Sequence, residues 1–287
     1  MILPSQITLV QRKARRKFNK GKPIDSYPYL SGDSYFFSCE YYFHEGQLLN
    51  TPSIRNRTKK SKSLFVKTSA LEEFIRFLSL NLDQKFLDFS LVIHNGDDLF
   101  PPEVFEFLTH NFAKVFAVNV NSLNENLIPI PIGLENQNYF LNGVPTDFDR
   151  IIKRGIIPSE RREILVLQSF NVMTNRGERE ACANIAKKID CEILEASTQG
   201  KYRKCLSESR FVLSPPGNGW DCHRTWEALY LGAIPIVKRA YWPFSNYKLP
   251  VLVIDEWSDL CEMNLANLSF KQNFTWAQDF WKNFYDK

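Results

Sequence analysis

The chain has 287 residues, 44% of them hydrophobic and 14% aromatic, with a net charge of +4. That is enough apolar material for one large α/β domain or two moderate ones, and it excludes intrinsic disorder. No run approaches the roughly 20 apolar residues of a membrane-spanning helix, and the first residues lack the apolar region of a signal peptide, so a soluble, cytoplasmic chain is expected.

The charge is uneven. Residues 1–22 carry seven positives (Arg12, Lys13, Arg15, Arg16, Lys17, Lys20 and Lys22) and no acid. The rest of the chain holds 29 basic against 32 acidic residues. A second basic run covers Arg55 to Lys62. A basic arm on a near-neutral body can touch the anionic inner face of a membrane, and a solvated terminus is the plainer alternative. No RNA-recognition or zinc-finger pattern accompanies the charge, so no nucleic-acid partner is expected. Cys39, Cys182, Cys191, Cys205, Cys222 and Cys261 form no C-x-x-C pair and read as reduced thiols. The sequons at Asn56, Asn267 and Asn273 read as coincidence.

Along the chain, short apolar runs alternate with helical periods, the rhythm of a parallel sheet. Residues 70–80 predict an amphipathic helix and 89–94 (FSLVIH) a buried strand ending in the turn-rich NGDD. Pro101 and Pro102 open a helix to about His110, in keeping with proline's place in a first turn. A strand follows at 115–120. Residues 127–132 (LIPIPI) are extended, and their prolines exclude a central strand.

Residues 142–162 are rich in Gly, Pro and charge and read as a linker. Beyond it the rhythm restarts, with strands at 163–168, 191–194, 211–214, 234–237 and 251–255 and helices at 176–188, 202–207 and 224–231. The aromatic tail 274–285 has helical period. The economical organisation is a basic arm (1–22), a first Rossmann-like lobe (23–141), the linker, a second such lobe (163–265) and a C-terminal helix (266–287) packing back on the first lobe.

The densest signal is SPPGNGWDCHRTWEALYLGAIPIV, residues 214–237. Pro215 and Pro216 end a strand because neither can donate to a sheet ladder. Gly217-Asn218-Gly219 permits close backbone approach to a ligand. Asp221 is a candidate helix N-cap. A helix start behind a glycine loop favours an anion through its free N–H groups and dipole, and His223 and Arg224 add positive charge. Glu227, about one turn beyond His223, suits the paired hydroxyls of a ribose, which call for an acceptor-only group. The stretch reads as a nucleotide clamp. G-x-G-x-x-G and the P-loop motif are both missing, which weighs against simple NAD or ATP-hydrolysis readings.

The run FVLSPPGNGWDCHRTWEALYLGAIPIV (211–237), with LIPIPIGLEN (127–136) and SFNVMTNRGERE (169–180), resembles the exostosin-like glycosyltransferases (glycosyltransferase family 47), especially the ribitol xylosyltransferase-like members. The resemblance covers about residues 85–255 and is specific only in the 211–237 block. It implies an α/β fold of GT-B type, two Rossmann-like lobes facing across a cleft, with inversion at the anomeric carbon. It implies a nucleotide-sugar co-substrate, a uridine nucleotide by family weight, no metal and no other cofactor. The D-x-D match at 147–149 (DFD) falls in the linker-like region and reads as chance.

The donor would then be held by Gly217, Asn218, Gly219, Asp221, His223, Arg224 and Glu227, together with Ser169, Asn171, Arg176 and Arg179 from the loop and helix start after residue 168. An inverting transfer needs a base for the acceptor hydroxyl. Asp97 or Asp98, just past the first-lobe strand, is the candidate, with His94 as substitute. The acceptor is a glycan or polyol of surface-glycan synthesis. A non-catalytic nucleotide- or glycan-binding protein retaining the fold is the alternative.

Overall fold

The computed structural model describes residues 22–52, 62–81, 86–120, 125–139, 142–195, 197–271 and 274–286. The basic arm short of Lys22, residues 55–61 of the second basic run, and the sequon residues Asn56 and Asn273 lie outside these.

Two sheets organise the chain. The first contains β1 (Tyr41–His44), β2 (Gln47–Asn50), β3 (Lys62–Lys67), β4 (Phe86–His94), β5 (Phe112–Ala117) and β6 (Leu127–Pro129) in the order β2-β1-β3-β4-β5-β6. Only β1 and β2 are antiparallel, turning at Glu45-Gly46, both at positive φ. Every other pairing is parallel. The proline-bearing β6 takes an edge, where a missing N–H costs no ladder bond.

Side-chain alternation gives this sheet two apolar faces. Leu64, Leu91 and Val115, in register, pack with Leu71, Phe74 and Leu78 of α2 (Leu71–Leu80) and with Phe105 and Leu108 of α3 (Pro102–Asn111). Phe65, Val92 and Phe116 face the other way, toward Tyr35 and Phe36 at the end of α1 (Gly32–Phe36). The same core takes in the C-terminal helix, residues 276–286. Its Phe284 ring lies 4.8 Å from Phe116, and its Trp281 donates to the Pro28 carbonyl.

The segment from 142 to 162 carries a helix, α4 (Pro145–Lys153), whose Phe148 is fully buried against Tyr29 and Tyr230. Asp147 pairs with the buried Arg203 at 2.8 Å, and Asp149 accepts from Tyr29 at 2.7 Å, so both acids of the DFD run serve packing. From Asp149 to Arg161 the passage is otherwise exposed or half-buried.

The second sheet contains β7 (Ile164–Gln168), β8 (Cys191–Ile193), β9 (Ser209–Leu213), β10 (Ile234–Lys238) and β11 (Leu252–Ile254), all parallel, in the order β11-β10-β9-β7-β8. Between them run α5 (Arg176–Ala186), α6 (Gln199–Glu208) and α7 (His223–Tyr230); the C-terminal helix is α8 (Trp276–Asp286). Val166, Phe211 and Ile234 form one face with Cys182 and Ala186 of α5. Leu167 and Val212 join the core shared with the first sheet. Pro235 sits in an interior strand, yet β10 pairs with β11 only from Ile236 onward, so no ladder bond to β11 is lost at the proline.

These are mixed α/β layers with two parallel-rich sheets. The chain steps from β7 to β8 on one side and then returns to β9 on the other. The β7/β9 boundary is therefore a topological switch point, where open α/β sheets bind ligands beyond the strands' carboxyl ends. No helix among the described residues is long and apolar enough to cross a membrane.

Candidate functional site

A cleft of about 770 Å³ opens beyond the carboxyl ends of β7, β8 and β9. Its walls come from the 169–174 loop, the 194–202 stretch, the 217–227 block and, from the first-sheet side, Asp97, Ile132, Glu135 and Asn142.

The 214–223 loop is built as its residue types demand. Gly217 leaves no room for a side chain, since a Cβ would lie 2.9 Å from the Arg179 guanidinium; at Gly219 it would meet the Asn119 amide at 2.5 Å. The helix behind the loop begins at His223 with Cys222 as N-cap and ends where Gly232 adopts φ +74°.

Asp221 does not cap this helix, contrary to the sequence expectation. It is buried, and its carboxylate accepts from the backbone N–H of Ile132 (2.8 Å) and Cys222 (2.8 Å) and from the indole of Trp226. Burial pushes its carboxyl up to about 6 despite these donors. The reason for the miscast is competition: a long-range partner, Ile132, takes the oxygen that a local cap would have used. Around it the two sheets are joined by His223 Nδ1, 2.7 Å from the Gly133 carbonyl, and by the Asp221 N–H donating to Asn119 at 3.1 Å.

Arg179 is 5% exposed, and its guanidinium is committed to the protein. Nε donates to the Pro216 carbonyl at 2.8 Å and Nη1 to the Asn171 carbonyl at 2.7 Å, tying the two loops together. Burial, reinforced by the neighbouring Arg224, lowers its proton affinity. Arg224 is different. Its Nε donates to the Ser169 carbonyl at 3.1 Å, while Nη1 is buried without a hydrogen-bond partner. Ser169 Oγ, beside it on the wall, is likewise unsatisfied. Both guanidinium groups lie over the Phe170 ring, at 5.7 and 5.4 Å. Buried polar groups without partners are rare, and here they share one cleft wall.

Glu227 is 6% exposed and accepts from the Tyr202 hydroxyl at 2.7 Å. Burial and then the Glu227 charge hold Tyr202 protonated well above the usual phenol range. Tyr202 thus orients the carboxylate. Sequence reasoning missed it, along with Phe170 and Asn119.

Of the sequence-derived candidates, Ser169, Asn171, Arg179, Gly217, Asn218, Gly219, Asp221, His223, Arg224 and Glu227 all line this cleft, with Asp97 opposite. Three do not. Arg176 is 70% exposed and pairs with Glu180 at 2.8 Å, one turn along its helix. Asp98 is exposed outside the cleft. His94 is 1% exposed: Nδ1 accepts the Asn95 N–H at 2.7 Å, and Nε2 lies 3.1 Å from the Pro131 carbonyl. Burial drops its pKa to about 4, so it is a neutral packing residue. Asn218 donates to Asp97 at 3.3 Å across the cleft rim.

An α/β chain with an arginine- and carboxylate-lined cleft at a topological switch point has the layout of a nucleotide-type ligand site. Residues 158–275, which hold the whole second sheet and its loops, match the family model described as RXYLT1 C-terminal domain. That part of the chain is similar to this ribitol xylosyltransferase-like domain, and the similarity supports an exostosin-like glycosyltransferase. No curated protein matches the chain.

Proposed function

We propose that the protein transfers a sugar from a nucleotide-sugar, a uridine nucleotide by preference, to the hydroxyl of a glycan or polyol acceptor, with inversion and without a metal. In this reading the two sheets are the cores of GT-B lobes and the cleft lies between them. The observation that carries it is Arg224, whose uncommitted Nη1 stands at the first turn of α7 one helical turn from the ribose-suited Glu227.

The diphosphate would lie against the 217–219 loop and the α7 start, with Arg224 taking up charge as it departs. The acceptor oxygen forms its bond to the anomeric carbon from the opposite face. The carbon–phosphate-oxygen bond breaks, its electron pair leaves with the diphosphate, and the acceptor proton passes to Asp97. Arg179 holds the loops in register for this arrangement. A cytoplasmic, membrane-peripheral setting, with the basic arm as contact, belongs to the same proposal.

The test is thermal stabilisation by nucleoside diphosphates and their sugars, with and without chelator. A ligand at 100 times its Kd raises stability by about 2.7 kcal/mol. Glu227→Ala should abolish most of that shift while leaving the ligand-free melting point within a few degrees. Undiminished donor affinity in that variant refutes the ribose role.

A further inference from the structure

Another cavity, of about 450 Å³, opens at the far end of α7. The start of that helix faces the cleft, and its last residues, Leu229 and Tyr230, line this cavity with Ile152 and Ile156 from the end of α4 and the turn after it, and Trp276 and Ala277 from α8. The wall is mainly apolar. The two tyrosine hydroxyls on it are already engaged: Tyr29 donates to Asp149 at 2.7 Å, and Tyr230 accepts the Leu30 N–H at 2.8 Å. The lining residue Phe274 is 50% exposed, so the cavity opens to solvent.

Positive charge gathers beside it. Lys153 and Arg154 stand in the turn between Ile152 and Ile156, exposed and without an ion pair among the described residues. Behind the wall lies Arg162, which is buried and donates to the carbonyls of Ile157 (2.9 Å), Ser209 (2.8 Å) and Leu231 (2.8 Å) but to no carboxylate. A Cβ added at Gly232 would lie 2.7 Å from Arg162 Nη2, 2.9 Å from Ile156 and 3.1 Å from Phe274, so the guanidinium stands directly behind two lining residues. Burial lowers its pKa to about 10, and no neighbouring acid opposes the shift. A buried charge without a counter-ion is costly, and an anion nearby relieves it. Of the nearest acids on the flanking helices, Asp147 pairs with Arg203, and Asp149 and Asp279 accept from the hydroxyls of Tyr29 and Thr275.

We propose that this cavity binds a single-chain anionic lipid, with its hydrocarbon chain between α4, α7 and α8 and its charged head at Lys153 and Arg154, in the field of Arg162. The volume lies at the small end of ligand sites, which run from roughly 300 to 1,000 Å³, and suits one chain rather than two. The apolar wall asks for no polar group along the body of the ligand, and the cations ask for one at its end. The site is independent of the nucleotide-sugar reading, since the eight residues of α7 separate it from the cleft by about 12 Å.

The test titrates the full chain calorimetrically with myristate, kept below its micelle concentration, and with methyl myristate, which has the same chain and no charge. One myristate should bind per chain, roughly ten-fold tighter than the ester, and the gap should narrow as salt is raised. Combining Lys153→Glu with Arg154→Glu should close the gap and leave the affinity for the ester unchanged. Ala277→Phe fills the cavity, and Ile156→Gln, at a half-buried position that tolerates a polar group, makes its wall polar; each should weaken both ligands by at least about ten-fold. Myristate should bind equally well with nucleotide present. Absent binding, equal affinity for acid and ester, or unchanged affinity in both cavity variants overturns the proposal. Competition between myristate and nucleotide also overturns it, by placing the lipid in the cleft. So does a dimer, seen by light scattering, that Ala277→Phe dissociates, because a second copy of the chain would then be the occupant.

Discussion

Arg179 separates loop positioning from ligand reading, and Arg179→Met is the perturbation that tests it. The substitution keeps the aliphatic stem and removes a guanidinium that satisfies two carbonyls, Pro216 at 2.8 Å and Asn171 at 2.7 Å. Hydrogen bonds from a charged donor contribute about 1.5–3 kcal/mol each, and carbonyls stranded in the interior carry their own desolvation penalty. Against this stands the cost of burying the guanidinium, which the substitution relieves. The net expectation is a loss of about 3 kcal/mol, or roughly 6–10 °C in melting temperature for a chain of this size. The measurement is calorimetry of the native chain and the variant, followed by nucleotide titration of each at 15 °C, where both are folded. Nucleotide affinity should fall as well, because Gly217 and Asn171 lose their common anchor. A variant melting within about 2 °C of the native chain while failing to bind nucleotide would refute the reasoning, since the guanidinium would then be reading ligand.

Arg224→Met should show the inverse pattern: a smaller melting change than Arg179→Met, because only the Nε bond to the Ser169 carbonyl is lost and Nη1 has no partner to lose, and a drop in diphosphate affinity of at least about ten-fold by calorimetric titration. Tyr202→Phe should weaken nucleotide binding several-fold through the freed Glu227 carboxylate, and equal binding in native and variant would remove Tyr202 from the site. Gly219→Ala places a methyl group 2.5 Å from the Asn119 amide and should loosen the Asp221–Asn119 link between the sheets, which hydrogen exchange at the Asp221 amide reports. The pH dependence of stability has opposing parts. His94, lowered to about 4, lets the unfolded chain bind a proton first between roughly pH 6.5 and 4, so its contribution is lost as pH falls. Asp33 and Asp221, both raised by burial to about 6, are protonated first in the folded chain, so their contribution grows as pH falls from about 6 toward 4. The two aspartates together outweigh the one histidine, so denaturant titrations from pH 7 to 4 should show a modest rise in stability for the native chain and a steeper one for His94→Gln.

The block from 211 to 237 was legible because its constraints are local. Prolines end a strand, glycines admit close approach, and a helix must start before the next strand, so cleft-lining residues fall within a dozen positions of one another. The residues that failed are those whose role is decided far away in the chain. Asp221 has the composition of a cap and becomes a cross-sheet acceptor because Ile132, 89 positions earlier, offers its N–H. His94 ends a buried strand as a cleft residue should, but Asn95 at φ +67° turns the chain and leaves the imidazole facing Pro131. Arg176 and Arg179 stand three apart on one helix; Glu180 claims the first at i+4, and only the second reaches the loops. Tyr202 and Asn119 carried no local mark at all. An aromatic on a helix reads as core, and an asparagine held at φ +54° between two sheets is visible only once both sheets exist. The β1–β2 hairpin was missed for a smaller reason. Its turn is Glu-Gly, which adopts the two positive φ values that Asn-Gly would have announced. Asp97 and Glu135 belong to the long-range class too: 38 positions apart in sequence, they line one cleft only when β4 and the segment after β6 end on the same side of it.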